Sequence, residues 1–266
     1  MARLIQHKAE ARHFYRFVSP LYDRWVNPLF WTADMRTRAL TLAKLDRRDL
    51  DVVDVGAGTG FSTEGIVAHV DPAHVTMLDQ SPDQLGRARR KPALQGATIL
   101  EGDAEALPFE TDRFDRYVSC GSIEYWPDPA AAFREAYRVV KPGGIACVVG
   151  PLPPEKRVAR WLADTWMLFP PEADYRRWMV EAGFEDVEAI FVAPDWTAQT
   201  YGISIAGRKP AAGASPGAAA SPVRESVTEP MTPRRWARWV AGSAAGSVFI
   251  PIGALASVVQ RRRARG

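Results

Sequence analysis

Residues 51–65 read DVVDVGAGTGFSTEG, an apolar run followed by a loop with glycine at positions 56, 58 and 60. The apolar pattern before Gly56 is typical of a buried strand, and the pattern after Gly60 is that of a helix. Glycine has no Cβ, so such a loop turns tightly and lets a ligand approach the main chain closely. Doubly wound α/β proteins hold nucleotide-like ligands at the loop between the first strand and the first helix. The stretch therefore predicts a ligand site at this turn.

The segments that follow alternate between strand-like and helix-like patterns up to residue 150. Strands are predicted at DVVDV, HVTMLD, ATILEGD, FDRYVSC and GGIACVVG, and helices at FSTEGIVAHV, SPDQLGRARRK and DPAAAFREAYRVVK. This regular alternation is the signature of a parallel sheet with helices on both faces. We therefore expect an open, doubly wound α/β sheet.

Composition narrows the functional classes. The chain has 266 residues, of which 47% are hydrophobic and 24% charged, with a formal net charge of +3 and a pI near 8.9. One globular domain with additional segments is expected from this length. Much of the positive charge lies in the closing RRRARG, and no basic stripe crosses the body, so nucleic acid is not an expected partner.

Cysteine usage predicts neither a disulfide framework nor a metal site. Cys120 and Cys147 lie outside any CxxC motif and away from histidine pairs, which fits reduced, cytosol-like surroundings. The N-terminal MARLIQHKAEARHFYRF has no long apolar stretch, so a secretory signal is not expected there. Its Glu10 and its lack of serine argue against an organelle transit peptide.

The C-terminal end differs in composition from the body. Residues 208–233 are dominated by Ala, Pro, Ser and Gly, which predicts a flexible linker. Residues 239–260 then carry no charge and, at ~1.5 Å per residue, are long enough to cross a ~30 Å hydrocarbon core. With arginines on both flanks, residues 234–266 are predicted to be a C-terminal apolar helix that anchors the protein in a membrane. A surface helix or a disordered Ala-rich tail is the alternative, and Pro251 leaves a re-entrant or interfacial helix open.

The glycine loop departs from the dinucleotide-binding fingerprint. Gly56, Gly58 and Gly60 form GxGxG, but Phe61 stands where that fingerprint needs its third glycine. Asp54 is expected to bring negative charge to the cleft, which suits a cationic, phosphate-free ligand better than a pyrophosphate. An NAD-dependent oxidoreductase is therefore the less favoured interpretation.

Two acidic residues at later strand ends extend the predicted site. Asp79 ends the second strand about twenty residues beyond the loop, where an acid bonds ribose hydroxyls. The alternative is that Asp79 caps the helix that begins at Ser81 and Pro82. Asp103, which follows the third strand in EGDAEALPF, is expected within reach of an adenine amino group.

These motifs, in this order, resemble the class I S-adenosylmethionine-dependent methyltransferases. The resemblance rests on VVDVGAGTG, LDQSP, GDAEALPF and VKPGG, and it covers about residues 40 to 190. It implies a seven-stranded, mostly parallel sheet, a methyltransferase domain at residues 41–207 and a helical cap over the cleft at residues 1–40. It also implies S-adenosyl-L-methionine as the cofactor, without a metal. The residues then expected to bind the cofactor are Asp54, Gly56, Gly58, Gly60, Asp79, Gln80, Asp103, Ala104 and Cys120, with Tyr15 and Tyr22 from the cap.

A closer likeness lies outside that core. The segments FYRFVSPLYDRWVNPLFWTADMR, YVSCGSIEYWPDP and WMLFPPEADYRRWMVEAGFEDV, and the apolar tail, look like the 2-methyl-6-phytyl-1,4-benzoquinol methyltransferases. The likeness implies methylation of a ring carbon of a prenylated benzoquinol, on the way to tocopherol and plastoquinone. It implies membrane association with the catalytic domain on the cytoplasmic side, or on the stromal face of the inner envelope in a plastid. Plant members carry a transit peptide that this chain does not show, so the likeness leaves a prokaryotic source open.

Methyl transfer from a sulfonium to carbon needs alignment, exclusion of water and removal of the phenolic proton. Glu124, in the loop after the fourth strand, is the predicted base, and His13 is the reserve. A solvated glutamate or a helix cap is the alternative for the first, and a surface histidine for the second. Tyr15, Tyr22 and Trp126 are predicted to cover the pocket and face the sulfonium, with plain hydrophobic packing as the alternative.

Other acceptors and a non-enzymatic role define the remaining hypotheses. Related quinone-pathway O-methyltransferases have a Glu-His pair in the loop after the fourth strand, whereas Tyr125 follows Glu124 here, which disfavours catechol O-methylation. Another lipid acceptor, such as a menaquinol precursor, a sterol or a fatty acyl chain, is the second enzymatic hypothesis. A membrane-tethered protein that binds the cofactor without catalysis is the third.

Overall fold

The structure is a computed structural model that describes residues 31–194, 201–211, 232–242 and 244. Several predictions concern residues outside these ranges. They include most of the cap at residues 1–40, with His13, Tyr15 and Tyr22, most of the linker, and all but the first part of the anchor. For these segments the sequence-based predictions remain predictions.

Seven strands form one sheet in the order β3-β2-β1-β4-β5-β7-β6. Strands β1 to β5 pair in parallel, while β7 runs antiparallel to both β5 and β6. The strand bounds are Val52–Val55, Val75–Asp79, Thr98–Glu101, Phe114–Cys120, Val140–Pro151, Glu185–Val192 and Gly202–Arg208 for β1 to β7. The predicted open, doubly wound and mostly parallel α/β sheet is confirmed.

Helices cover both faces of this sheet. They are α1 Ala33–Leu40, α2 Phe61–Ile66, α3 Pro82–Ala88, α4 Pro129–Val139, α5 Arg157–Trp166 and α6 Glu172–Ala182. Alternate side chains of β1 enter two different cores, because successive strand residues point to opposite faces. Val53 packs with residues of α4 and α6, whereas Val52 packs with residues of α1 and α2. Both faces of β1 are therefore buried, as expected for the central strand of a parallel sheet.

Two helices of the predicted set begin at a capping side chain followed by proline. Ser81 accepts a hydrogen bond from the Gln84 amide at 3.4 Å, and Pro82 takes the first position of α3. Asp128 caps α4 in the same way, with Pro129 at its first position. α3 therefore begins shortly after the carboxyl end of β2, and α4 begins after the loop at residues 121–128 that follows β4.

The predicted linker begins too early at Arg208. Arg208 still belongs to β7, where it is paired with Ile145 of β5. Lys209 is fully buried, and its Nζ donates hydrogen bonds of 2.9 Å to the carbonyls of Tyr137 and Val140. Composition assigns the two residues to the linker because a buried lysine is rare. The carbonyls that bind Lys209 are distant in the sequence, so no local pattern indicates its burial.

The membrane-anchor prediction concerns a segment that is mostly outside the described residues. Residues 233–242 are helical, and the remainder of the predicted anchor is described only at residue 244. Within the described ranges, no helix has the length and apolar character needed to cross a bilayer.

Candidate active site

A cleft opens at the carboxyl ends of the central strands, between the glycine loop and the loops after β2, β3 and β4. The strand order reverses between β1 and β4, and ligands of open α/β sheets bind at such a switch point. Seven of the predicted cofactor residues line this cleft. They are Gly56, Gly58, Asp79, Gln80, Asp103, Ala104 and Cys120.

The glycine loop takes a backbone conformation that needs glycine. Gly56 and Gly58 have φ angles of +71° and +56°, in the left-handed region. A Cβ at Gly56 would lie 2.3 Å from the Ser122 Cβ, and one at Gly58 would lie 2.5 Å from the Gln84 Oε1. The absence of side chains keeps the main chain at the cleft surface. Gly60 does not line the cleft; it precedes α2 with φ +87°.

Asp79 connects the end of β2 to the glycine loop. Its Oδ2 accepts a hydrogen bond of 2.9 Å from the Gly58 amide, and its Oδ1 accepts one of 2.8 Å from the Ser81 amide. The side chain of Ser81, not that of Asp79, caps α3. Burial raises the pKa of Asp79 to about 6, although the hydrogen bonds from Ser81 and Gly58 act to lower it. Asp79 is therefore an ionised acceptor at neutral pH, fixed at the cleft wall.

Asp54 lies beneath the cleft, contrary to the expectation that its charge faces the ligand. The residue is fully buried, and its Oδ2 accepts hydrogen bonds from the hydroxyls of Ser62 at 2.7 Å and Thr63 at 2.6 Å. Its place on β1 directs it toward α2, on the face that Val52 also occupies. Burial raises its pKa to about 6. The described contacts of Asp54 hold the first turn of α2 against β1.

The remaining predicted cleft residues lie on the loops after β3 and β4. Asp103 Oδ1 accepts a hydrogen bond of 2.9 Å from the Glu105 amide, which fixes the carboxylate at the end of β3. Burial raises the pKa of the Cys120 thiol well above its usual range, so this side chain is uncharged. Trp126 lines the cleft and also packs edge-on against Phe133, with ring centroids 6.2 Å apart. Trp126 therefore packs in the core and also lines the cleft, while its contact with the sulfonium remains a prediction.

Glu124 is a buried carboxyl next to the cleft. It lies in a 3₁₀ turn, Ile123–Tyr125, and is 8% exposed, which excludes a solvated glutamate. Its Oε2 has no hydrogen-bond partner among the described residues. Burial raises the pKa of Glu124 to about 7. Tyr125 and Trp126 form the adjoining cleft wall, while Glu124 itself lies behind that wall.

The sequence analysis predicts a helical cap over the cleft at residues 1–40 but does not name the described residues of this range that line the cleft. Trp31, Arg36 and Ala39 line the cleft together with Phe61. Trp31, Arg36 and Ala39 precede β1 and belong to no recognisable motif, although WTADMR lies at the end of a segment with a wider family likeness. The spacing of the glycine loop contains no signal for residues that reach the cleft from an earlier helix.

The fold and the cleft define an α/β methyltransferase of class I, with a glycine-rich turn after β1 and an acid at the end of β2. Residues 53–148 match the family described as "Methyltransferase domain". S-adenosyl-L-methionine is the cofactor of this class. The chain is also similar to the solved structure of an S-adenosylmethionine-dependent methyltransferase from Mesorhizobium loti, with a TM-score of 0.55 and 21% identity over 66% of this chain and 98% of that one. At that identity the likeness supports the fold alone.

Two plant proteins are much more similar in sequence. The chain is 51% identical to 2-methyl-6-phytyl-1,4-hydroquinone methyltransferase 1, chloroplastic, of Oryza sativa subsp. japonica, over 93% of this chain and 77% of the relative. It is 50% identical to the protein of that name from Spinacia oleracea, over 93% of this chain and 74% of the relative. The chain belongs to the 2-methyl-6-phytyl-1,4-hydroquinone methyltransferase family.

Proposed function

We propose that this enzyme transfers the methyl group of S-adenosyl-L-methionine to a ring carbon of a 2-methyl-6-phytyl- or polyprenyl-1,4-benzoquinol, in prenylquinone or tocopherol biosynthesis. The observation that supports this most strongly is the identity of about half of all residues, over nearly the whole chain, with plant enzymes named for that substrate. A cleft with a glycine cradle and an acidic strand end supports the cofactor half of the proposal.

The cleft residues fit the cofactor. A Cβ at Gly58 would lie 4.0 Å from the Asp79 Oδ2 and would fill the space beside this carboxylate. Glycine at this position therefore keeps the loop open to a ligand. We propose that Asp79 binds the ribose hydroxyls, that Asp103 binds the adenine amino group, and that Gln80, Ala104 and Cys120 complete the contacts. When bound, the cofactor supplies an electrophilic methyl group on a sulfonium. Asp54 and Gly60 support the loop from behind.

Glu124 is the proposed acceptor of the phenolic proton. A carboxyl with a pKa of about 7 is half ionised near neutral pH, which suits a general base. Its Oε2 has no hydrogen-bond partner in the described part of the chain, and its place beside Tyr125 and Trp126 favours a path for the proton through the cleft wall. His13 remains the proposed reserve base, and Tyr15 and Tyr22 remain proposed as covers of the pocket; these three lie outside the described residues.

Membrane association through residues 234–266 is proposed on physical grounds. Each buried methylene of a prenyl tail contributes about 0.8 kcal/mol, so the acceptor stays in the bilayer. An enzyme held at that surface meets its substrate at high effective concentration. In the described part of the segment, Trp236 is 42% and Val240 is 58% exposed, one helical turn apart. Arg234 and Arg235 beside them suit anionic headgroups.

The compartment is proposed by analogy with the relatives. The plant relatives are named as chloroplastic. We propose that the catalytic domain faces the cytoplasm, or the stroma if the protein is plastidial.

A panel of acceptors tests the proposal. The full chain is incubated with methyl-labelled S-adenosylmethionine and, in parallel, with 2-methyl-6-phytyl-benzoquinol, a demethylmenaquinol, a sterol and an unsaturated fatty acyl lipid. We expect the benzoquinol to give the highest rate and a ring-methylated product. Preferred methylation of another acceptor, or label on oxygen, would contradict the proposed substrate. Cofactor binding without turnover on any acceptor would favour the non-catalytic hypothesis.

A further inference from the structure

Arg36 brings a positive charge into the cleft from α1. Among the described residues that line the cleft, it is the only one with a cationic side chain. Its Nη1 donates a hydrogen bond of 2.8 Å to the Phe61 carbonyl. Its Nε is buried and has no hydrogen-bond partner within the described ranges. A buried guanidinium N–H without a partner destabilises the folded protein, and a ligand that supplies an acceptor removes this cost.

Two residues of α2, Phe61 and Gly65, define the position of this guanidinium. The Arg36 Cζ lies 4.7 Å from the centroid of the Phe61 ring, within cation–π distance. A Cβ at Gly65 would lie 3.0 Å from the Arg36 Cδ and Nε, so the side chain crosses α2 where only glycine leaves room. Phe61 therefore has a role at the position where a dinucleotide-binding loop has its third glycine.

The charged groups of the cleft are divided between its two sides. Asp79 ends β2 and Asp103 follows β3, and both strands lie on one side of β1 in the sheet. Arg36 belongs to α1, which packs against α2 and against β6 and β7, the strands on the other side of β1. A complementary ligand has hydroxyl and amino groups at one end and an anionic group at the other. An adenosyl amino acid has this arrangement, with a ribose diol at one end and a carboxylate at the other.

We propose that Arg36, oriented by Phe61, binds the carboxylate of the amino-acid part of the cofactor and so selects adenosyl amino acids over ligands that lack a carboxylate. The guanidinium is suited to this role because it donates two parallel hydrogen bonds to a carboxylate. The inference rests on the cofactor placement given under the proposed function. It adds a specificity-determining residue that comes from outside the glycine-loop motifs.

Calorimetry with two matched ligands tests the inference. S-adenosylhomocysteine has the carboxylate, and its decarboxylated form, 5′-deoxy-5′-(3-aminopropylthio)adenosine, lacks it while keeping the same thioether. Removal of a charge-assisted pair typically costs about 10- to 100-fold in affinity. We expect Arg36→Gln to weaken S-adenosylhomocysteine binding by about that factor and to leave binding of the decarboxylated ligand within about threefold. Arg36→Lys keeps the charge without the fork and is expected to lie between wild type and Arg36→Gln.

Two further variants define the controls. Arg38→Gln removes an exposed arginine from the same helix and is expected to bind both ligands as wild type does. Phe61→Leu removes the ring beneath the guanidinium and is expected to weaken the carboxylate ligand about three- to tenfold more than the decarboxylated ligand. Thermal unfolding of each variant checks that the fold is intact.

The outcomes separate this inference from the proposed function. Equal losses for both ligands, or no loss for either, in Arg36→Gln would overturn the carboxylate assignment. If Arg36→Gln does not fold, the carboxylate assignment is tested with Arg36→Lys and with the ratio of the wild-type affinities for the two ligands. A wild-type preference below threefold for the carboxylate ligand would overturn the assignment. Failure of the wild type to bind S-adenosylhomocysteine would instead contradict the cofactor placement itself.

Discussion

Replacement of Glu124 by glutamine should change the pH dependence of stability in a specific direction. The pKa of Glu124 is raised from 4.5 to about 7, which corresponds to about 3 kcal/mol of cost when the buried carboxylate ionises. Below pH 4.5 the carboxyl is neutral in both the folded and the unfolded chain, so this cost is absent. Between pH 4.5 and about 7 the unfolded chain ionises while the folded chain stays protonated, so stability is lost over this range and the full cost is present above pH 7. Glutamine stays neutral at every pH.

The difference between variant and wild type therefore isolates this group. The quantity compared is the free energy of unfolding of Glu124→Gln minus that of the wild type. We expect this difference to be about 2 to 3 kcal/mol more favourable to the variant at pH 8 than at pH 5. Urea unfolding at both pH values measures the two differences, and the pH dependence of all other groups cancels. Glu110→Gln, at an exposed glutamate, is the matched control and should change by less than about 0.5 kcal/mol. A Glu124→Gln difference that is the same at pH 5 and pH 8 would refute the reasoning.

Three further predictions follow from the cleft and the tail. Asp79→Ala should weaken S-adenosylhomocysteine binding by about 1 to 3 kcal/mol through loss of charge-assisted bonds, and unchanged affinity in calorimetry would contradict the ribose assignment. Gly56→Ala should abolish cofactor binding and lower the unfolding temperature, because its Cβ would lie 2.3 Å from the Ser122 Cβ; a variant that binds as wild type would show that the loop relaxes. Deletion of residues 234–266 should move the protein from the membrane pellet to the supernatant with cofactor affinity retained, and a truncated chain that still sediments would exclude this tail as the anchor.

Local sequence signals predicted the elements whose chemistry is contained in short motifs. The glycine loop and Asp79 were predictable because left-handed glycines and an acid at a strand end have a fixed spacing in doubly wound folds. The caps of α3 and α4 were predictable because Ser-Pro and Asp-Pro pairs act within one helical turn. For these elements the cause of the structure lies within a few residues.

Residues whose role depends on distant partners were not predictable in the same way. Asp54 was expected in the cleft, but both faces of β1 are buried, so the strand pattern contains no information on which face meets the ligand. Arg36 reaches the cleft from α1 and is held by Phe61, 25 residues later in the sequence. The burial of Glu124 and of Lys209 likewise depends on packing between elements, which composition and periodicity do not report.

The placement of the cofactor is tested most directly by a crystal structure of the full chain with S-adenosylhomocysteine. We predict that the ribose hydroxyls bind the Asp79 carboxylate, that the amino-acid part lies over Gly56 and Gly58, and that its carboxylate meets Arg36. A ligand found elsewhere on the protein, or a cleft filled by side chains in the complex, would contradict the central claim.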